Sequence, residues 1–193
     1  MIQRLAALLA ASEQIVFFGG IPDFRSTKGL YNAQKTYGHA PEELLSHRLF
    51  MQEPDLFFQY YKQNLIHPGA TPNNAHIALA RLERMGKLHG VVTQNIDGLH
   101  QKAGSKRVYE LHGSVARNYC MGCGAKYGLD YILEPAHCVD KTGKQTPIPH
   151  CAQCGAIVRP DVVLYQEGLD ERIMRGAIQA IQAADTMVVG GTS

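Results

Sequence analysis

Apolar positions along the chain alternate between short continuous runs and helical spacings. Leu5, Leu8 and Leu9 share one face of a predicted helix over Ile2–Ala11, and the run Ile15–Phe18 predicts a buried strand ending at a glycine turn. The same patterns predict helices at Pro41–Leu49, Pro54–Leu65, Asn73–Met85 and Glu171–Ala184, and strands at Gly90–Thr93, Val108–Leu111, Asp161–Tyr165 and Thr186–Val189. This alternation predicts an α/β fold with a Rossmann-like, doubly wound parallel sheet.

The periodicity is lost between Arg117 and Arg159, where glycine, cysteine, proline and turn residues dominate. A segment of this kind is typical of a small module held by a metal ion instead of a core. We therefore expect a Rossmann-like domain over residues 1–115 and 160–193, with an inserted zinc-ribbon module over residues 116–159.

Four of the five cysteines form two close pairs separated by 27 residues: Cys120 with Cys123, and Cys151 with Cys154. Two such Cys-x2-Cys pairs can complete a closed tetrahedral site with metal–sulfur distances of about 2.3 Å, which predicts one structural zinc ion. Cys138 has no partner at this spacing and is interpreted as a free thiol. His137 and His150 are alternative ligands, although four sulfurs already form a complete set.

Composition limits the possible partners. The chain has 19 basic and 17 acidic residues, a net charge of +2, which predicts neither strong nucleic-acid binding nor attraction to an anionic membrane. The apolar run Leu5–Ala11 is far shorter than a membrane span and lacks the features of a signal peptide. An odd number of clustered cysteines is not a secreted disulfide framework, so we expect a cytoplasmic protein.

Several blocks occur in a fixed order along the chain. They are Gly19-Gly20, Ile21-Pro22-Asp23-Phe24-Arg25-Ser26, Thr93-Gln94-Asn95-Ile96-Asp97-Gly98-Leu99-His100, Glu110-Leu111-His112-Gly113-Ser114 and Gly190-Gly191-Thr192-Ser193, with the cysteine pairs after the histidine block. This order resembles the sirtuin family of NAD-dependent protein lysine deacylases, in a bacterial-type form. Independently of the resemblance, a glycine turn after the first strand suits a dinucleotide pyrophosphate.

The resemblance implies a reaction and a set of site residues. The enzyme would remove acetyl groups from lysine side chains of protein substrates, consume NAD, and release nicotinamide and an O-acyl-ADP-ribose. His112 would be the general base that activates the nicotinamide ribose, with Asn95 contacting that ribose. The cofactor would be bound by Gly19, Gly20, Asp23, Phe24, Arg25, Gln94, Asn95, Ile96, Asp97, Gly191, Thr192 and Ser193, and the substrate by Val163, Leu164, Tyr165, Tyr61 and Asn64.

Each of these residues also has a simpler interpretation. A lone histidine is most often structural, Asn95 and Asp97 are common turn formers, Phe24 could anchor a core, and Val162–Glu167 could be only a buried strand. Two other functions remain open. A mono-ADP-ribosyltransferase could use the same scaffold, although His112 favours deacylation. A zinc-ribbon binding module is disfavoured because residues 117–159 carry five basic and three acidic residues.

The chain departs from the family pattern in three places. Gly20 runs directly into Ile21, where sirtuins have a longer glycine- and serine-rich segment that cradles the cofactor phosphates. The sequence stops at Ser193, where sirtuins continue through further strands and helices that hold the adenosine end. A natural truncation would explain both departures, but we expect this continuation and the glycine-rich segment to exist in the encoded protein. Tyr165-Gln166 replaces the more usual Phe-Gly, which puts the details of peptide contact in doubt.

The acyl group is also constrained by the resemblance. Sirtuins that accept acidic acyl groups have a Tyr-x-x-Arg pair, and the matching residues here are Tyr61 and Asn64. Three residues apart on a helix, the two would face one pocket without supplying a cation. We therefore expect acetyl to be preferred over succinyl or malonyl.

Overall fold

The structure is a computed structural model that describes residues 2–19 and 33–191. The strands are β1 (Ile15–Gly19), β2 (Leu88–Thr93), β3 (Val108–Glu110), β4 (Gly113–Cys120), β5 (Lys126–Tyr127), β6 (Val158–Val162) and β7 (Thr186–Gly190). The labelled helices are α1 (Ile2–Ala11), α2 (Pro41–Leu44), α3 (His47–Gln52), α4 (Pro54–Asn64), α5 (Asn74–Arg84), α6 (Leu99–Lys102), α7 (Leu129–Leu133) and α8 (Glu171–Ala183). None of the described helices is both long enough and apolar enough to cross a membrane.

The chain divides into two compact units. The first comprises the described parts of residues 1–22, 69–112 and 169–193, and its sheet has the strand order β3-β2-β1-β7. All three strand pairings are parallel. The predicted parallel sheet of an α/β fold is confirmed.

Alternating side chains on the central strands cover the two faces of this sheet. Ile15 and Val91 face one side, where they pack with Leu79 of α5. Val16 and Val92 face the other, where they pack with Ala177 of α8. Because both faces are covered by helices, the strands appear in the sequence as continuous apolar runs without alternation.

The second unit comprises the described parts of residues 23–68 and 113–168, and its sheet has the order β5-β4-β6 with antiparallel pairing. The apolar pattern predicts a strand over Asp161–Tyr165 that resumes the alternation of the main sheet. That expectation was wrong: β6 ends at Val162 and pairs with β4. The start of β6 is not recognisable in the sequence because Arg159 and Pro160 are untypical of a strand, although Arg159 is buried.

The single helix predicted over Pro41–Leu49 is instead two helices, α2 and α3. Between them, the backbone of Leu45 and His47 exchanges hydrogen bonds with that of Tyr165, at 3.0 and 2.9 Å. Ser46 then begins α3, because its hydroxyl accepts the Leu49 amide at 3.1 Å. A contact so distant in sequence cannot be read from local spacing.

The division into units also differs from the expected domain boundaries, since residues 33–68 belong with the cysteine-bearing segment. Two side-chain contacts illustrate why. The Arg159 guanidinium lies 5.3 Å from the centroid of the Phe50 ring, and Lys62 Nζ lies 3.1 Å from Cys138 Sγ. Neither contact can be predicted from the spacing of apolar residues in the sequence.

Gln166 occupies the position where the family more often has glycine, and its φ is +78°. This left-handed conformation costs a non-glycine residue about 1–2 kcal/mol. In partial compensation, Gln166 Oε1 accepts the Arg48 amide in the first turn of α3 at 3.2 Å. Compared with glycine at this position, Gln166 therefore has a more strained backbone but adds a hydrogen bond to the first turn of α3.

We predict that Gln166→Ala lowers the free energy of unfolding by about 1 kcal/mol, since it keeps the strain and loses the cap. Gln166→Gly loses the same hydrogen bond but relieves the backbone, so its stability should stay near that of the wild type. Urea unfolding of the matched pair measures the difference. An alanine variant more stable than the glycine variant would contradict this account.

Candidate functional site

The carboxyl ends of the parallel strands bring several predicted site residues together. Gly19 at the end of β1 lies opposite Thr93 of β2 and Gly190 of β7. The Gln94 amide donates to the Gly19 carbonyl at 3.0 Å, so the segment after β2 starts at this edge. Open α/β sheets bind ligands at this place.

His112 belongs to the same edge and is half-buried. The Leu111 amide donates to the Thr93 carbonyl at 2.9 Å, which fixes the backbone just before the histidine. His112 Nδ1 lies 3.1 Å from the Gln94 carbonyl oxygen. Because a carbonyl can only accept, Nδ1 carries the proton in this contact, and in the neutral imidazole the lone pair is on Nε2.

Glycine directly after His112 has a steric reason. Gly113 has φ +77°, and a Cβ there would overlap the carbonyl oxygen of Asp161. The backbone that presents the imidazole can therefore be followed only by a residue without a side chain.

Asn95 and Asp97 have different environments. Asn95 Oδ1 is buried and has no hydrogen-bond partner within residues 2–19 and 33–191. Asp97 is exposed, and its Oδ1 accepts the Leu99 amide at 2.9 Å at the start of α6. Asp97 thus forms a turn, whereas Asn95 keeps a polar atom without a partner among the described residues. Ile96 and Gln94 are half-buried in the same segment.

The Phe17 ring packs against the two glycines of this edge, Gly19 and Gly190. A Cβ on Gly19 would lie 2.6 Å from the Phe17 ring and 3.3 Å from the Gly190 carbonyl oxygen. Gly191 follows with φ +70°. The remaining predicted cofactor residues, Gly20, Asp23, Phe24, Arg25, Thr192 and Ser193, lie outside the described residues.

His100, close in sequence to this edge, was not predicted as functional and is buried. Its pKa is lowered to about 4, mainly by desolvation and then by the neighbouring His76, while Asp97 opposes the shift. The rings of His76 and His100 lie 4.6 Å apart. Histidine within a helical segment gives no sequence signal for such burial.

We predict that burial of His100 makes the stability of the protein sensitive to acid. Below about pH 6.5 the unfolded chain protonates His100 while the folded chain does not, so the free energy of unfolding falls as the pH drops toward 4. The loss should reach about 2–3 kcal/mol, at about 1.4 kcal/mol per pKa unit. Urea unfolding between pH 4 and 7 should show a shallower dependence in His100→Leu, but not in the exposed control His67→Leu. An equal pH dependence in all three proteins would exclude His100.

Four cysteines converge in the second unit. The sulfur atoms of Cys120, Cys123, Cys151 and Cys154 all lie within 4.8 Å of one another. Cys120 and Cys154 are 3.4 Å apart, and Cys123 and Cys151 are 3.6 Å apart. Four thiolates around one zinc at about 2.3 Å would be separated by about 3.8 Å, so the donor set fits a closed structural zinc site.

The other candidates for metal binding lie apart from this cluster. Cys138 is buried, and its sulfur contacts Lys62 Nζ. Nδ1 of His137 lies 2.9 Å from the Tyr131 carbonyl oxygen, and Nδ1 of His150 lies 3.0 Å from that of Gly155. Neither histidine belongs to the four-cysteine group.

The predicted substrate segment follows β6 and is anchored by an ion pair that the sequence analysis missed. Arg159 donates from both terminal nitrogens to Glu167, at 2.9 and 3.0 Å, and Glu167 also accepts the Leu164 amide at 2.9 Å. Although burial opposes it, these hydrogen bonds lower the pKa of Glu167. Val163 and Tyr165 are half-buried, and Leu164 is buried. The sequence signal for this ion pair was a charged residue, Arg159, between Val158 and Pro160.

The predicted acyl-selective pair is not brought to a common surface. Tyr61 is completely buried and stacks on Phe57, with ring centroids 5.6 Å apart. Asn64 is exposed, and its amide donates to the Tyr60 carbonyl at 2.9 Å. The structure thus gives no support to a pocket shared by Tyr61 and Asn64, and their joint contact with an acyl group stays a prediction.

Comparison with known proteins gives consistent matches over the whole chain. An NAD-dependent protein deacetylase of Clostridium perfringens is 52% identical over 200 residues, covering 100% of this chain and 78% of the relative. One of Clostridium acetobutylicum is 50% identical with the same coverage. The matched span of 200 residues exceeds the 193 of this chain, consistent with an internal segment that these relatives have and this chain lacks.

Solved structures agree. A chain from a study of the structural basis of sirtuin substrate affinity has a TM-score of 0.85 and 34% identity, covering 100% of this chain and 78% of that chain. A structure of Sir2 bound to acetylated peptide has a TM-score of 0.79 and 30% identity, covering 100% and 76%. The model of the Sir2 family (SIR2) matches residues 15–193. With its parallel sheet, its four-cysteine cluster and these matches, the chain belongs to the Sir2 family.

Proposed function

We propose that this protein is an NAD-dependent protein lysine deacetylase, which yields nicotinamide, free lysine and O-acetyl-ADP-ribose. The observation that carries the proposal is His112, whose Nδ1 is hydrogen-bonded to the Gln94 carbonyl. Nε2 is then the basic atom at the carboxyl edge of the parallel sheet. The names of the relatives, NAD-dependent protein deacetylase, support the same reaction.

His112 would accept a proton at Nε2 from a hydroxyl of the bound substrates. The Gln94 carbonyl holds the tautomer that makes this possible, because it accepts the Nδ1 proton at 3.1 Å. In the neutral imidazole, the lone pair held at Nε2 can act as a general base. Proton acceptance therefore depends on the backbone at Gln94 as well as on the imidazole.

The described residues of the sheet edge fit a dinucleotide. Asn95 Oδ1 is buried without a partner among them, and a ribose hydroxyl would satisfy it. A glycine turn at the end of the first strand also suits the approach of a dinucleotide pyrophosphate to the backbone. NAD, when bound, supplies the electrophilic sugar carbon that receives the acetyl oxygen. We propose Gly19, Gln94, Asn95, Ile96, Asp97 and Gly191 as its contacts, together with Gly20, Asp23, Phe24, Arg25, Thr192 and Ser193 on the family resemblance.

We propose Val163, Leu164 and Tyr165 as the segment that pairs with the substrate peptide. Strand addition supplies backbone hydrogen bonds that do not depend on the sequence around the lysine. The Tyr165 amide and carbonyl already bond to Leu45 and His47, and the Leu164 amide bonds to Glu167. Backbone pairing with a peptide would therefore rest mainly on Val163. A structure of Sir2 bound to acetylated peptide supports this substrate class.

One assay tests the proposed reaction. The protein is incubated with NAD and an acetyl-lysine peptide, and both the peptide mass and nicotinamide release are followed. Loss of the acetyl group in step with nicotinamide release, and only with NAD, is the expected result. ADP-ribose attached to peptide or protein without acetyl loss would instead identify a mono-ADP-ribosyltransferase.

We also propose a cytoplasmic location and no strong binding to nucleic acid. Thiolates that hold zinc require reducing conditions, and a net charge of +2 gives little attraction to polyanions. Cell fractionation and a salt titration of DNA binding test the two statements.

We predict that acetyl-lysine is turned over faster than succinyl-lysine. Asn64 supplies no cation, and the nearby Lys62 is engaged with Cys138 Sγ at 3.1 Å. At the position of this pair, a buried acyl carboxylate would therefore meet no cation from Asn64 or Lys62 and would be costly to desolvate. The measurement compares kcat/KM for one peptide sequence carrying either group. Succinyl turnover equal to or above acetyl turnover would overturn the prediction.

A further inference from the structure

One tyrosine hydroxyl contacts a sulfur of the four-cysteine cluster. Tyr127, on β5, places its hydroxyl oxygen 3.0 Å from Cys151 Sγ. Tyr127 is half-buried and Cys151 is buried, so the contact is only partly shared with solvent. A thiolate bound to a metal can only accept, so the phenolic O–H would donate to it.

The other hydrogen bonds donated to these sulfur atoms come from backbone amides. Cys120 Sγ accepts from the amides of Gly122 and Cys123, at 3.3 and 3.4 Å, and Cys151 Sγ accepts from the Gln153 amide at 3.4 Å. Tyr127 adds a shorter, side-chain donor to Cys151. Zinc with four thiolates carries a net charge of −2, so donors directed at the sulfurs offset much of that charge.

The tyrosine is held in position by its neighbours. Asn118 on β4 pairs with Tyr127, which fixes its backbone. Its ring centroid lies 4.0 Å from that of Tyr131, which in turn stacks on His137 at 3.7 Å. The hydroxyl therefore reaches Cys151 from a packed aromatic group and not from a freely rotating side chain.

We infer that Tyr127 is a positioning residue of the metal centre, whose hydroxyl withdraws charge from the Cys151 thiolate and slows loss of the metal. The inference rests on the zinc site proposed from the four sulfurs. A hydrogen bond lowers the energy of the sulfur electrons, so sulfur-to-metal charge transfer requires more energy when it is present. Outer contacts of this kind typically alter metal affinity by about 10–100-fold.

The test compares Tyr127→Phe with Tyr131→Phe. Tyr131 is the matched control because its hydroxyl donates to the His150 carbonyl at 2.8 Å, in the same module but not to sulfur. The full chain is loaded with cobalt(II), and the near-ultraviolet charge-transfer band is recorded. Zinc-loaded samples are then challenged with a chromophoric chelator at one fixed pH.

We expect the cobalt band of Tyr127→Phe to move to lower energy and its zinc loss to accelerate about tenfold. Tyr131→Phe should keep the band energy and a near wild-type rate. A band and a rate unchanged in Tyr127→Phe would overturn the role of Tyr127 while leaving the zinc site intact. Failure of Tyr127→Phe alone to fold in excess zinc would also overturn it, because one hydrogen bond does not decide the fold. A wild type that takes up no cobalt would instead refute the site.

Discussion

His112→Ala is expected to lower kcat/KM for an acetyl-lysine peptide by about 10²- to 10⁴-fold while the protein stays folded. A positioned general base contributes this much, and the imidazole is fixed by its 3.1 Å contact with the Gln94 carbonyl. The His112 side chain is half-buried and packs no core, so its removal should cost little stability. Steady-state kinetics and a thermal melt measure the two effects.

The exposed His67 provides the control, because His67→Ala removes an imidazole elsewhere on the surface. That variant should keep wild-type turnover. Unchanged deacetylation by a folded His112→Ala protein would refute His112 as the base. A loss of activity shared equally by both variants would do the same.

Cys151→Ser is expected to release the metal and to lower the free energy of unfolding by several kcal/mol. Four sulfurs within 4.8 Å of one another form a closed site, and the binding energy of a structural zinc is also folding energy. Zinc analysis of the purified protein and chemical unfolding test the two consequences. The wild type should contain one zinc per chain.

Cys138→Ser is the matched control. Cys138 is also buried, but its sulfur contacts Lys62 and lies outside the four-cysteine group. This variant should keep its zinc and most of its stability. Well under one zinc per chain in wild type never exposed to chelator, or full zinc retention by Cys151→Ser, would contradict the assignment.

Several features follow from local sequence because their causes are local. The run Ile15–Phe18 predicted β1, and the helix predicted over Glu171–Ala184 matches α8 except for one residue at its end. Burial on both faces of a parallel sheet makes a strand uniformly apolar, and a single buried stripe gives a helix its period. The two Cys-x2-Cys pairs predicted the metal cluster because the spacing within each pair is also a local feature, determined by a single turn.

Other features depend on partners far away in the chain. The break at Ser46 exists because Tyr165 bonds to the backbone on both sides of it, and β6 lies in the second sheet because β4 pairs with it. From the sequence alone Arg159 is expected at the surface, whereas in the structure it is buried and paired with Glu167. Patterns of apolar and polar residues record how each residue meets solvent, not which distant residue it meets.

The features of the candidate site can also be separated into those set by local sequence and those set by distant contacts. The amino-acid sequence by itself determined the residue types, the family resemblance of the blocks around Asn95 and His112, and the four metal ligands. Only the tertiary structure decided the tautomer of His112, the contact of the Tyr127 hydroxyl with Cys151, and the burial of an Asn95 oxygen that has no partner among the described residues. Each of these depends on a hydrogen bond formed or left unformed between separate segments, at distances that only the folded chain sets.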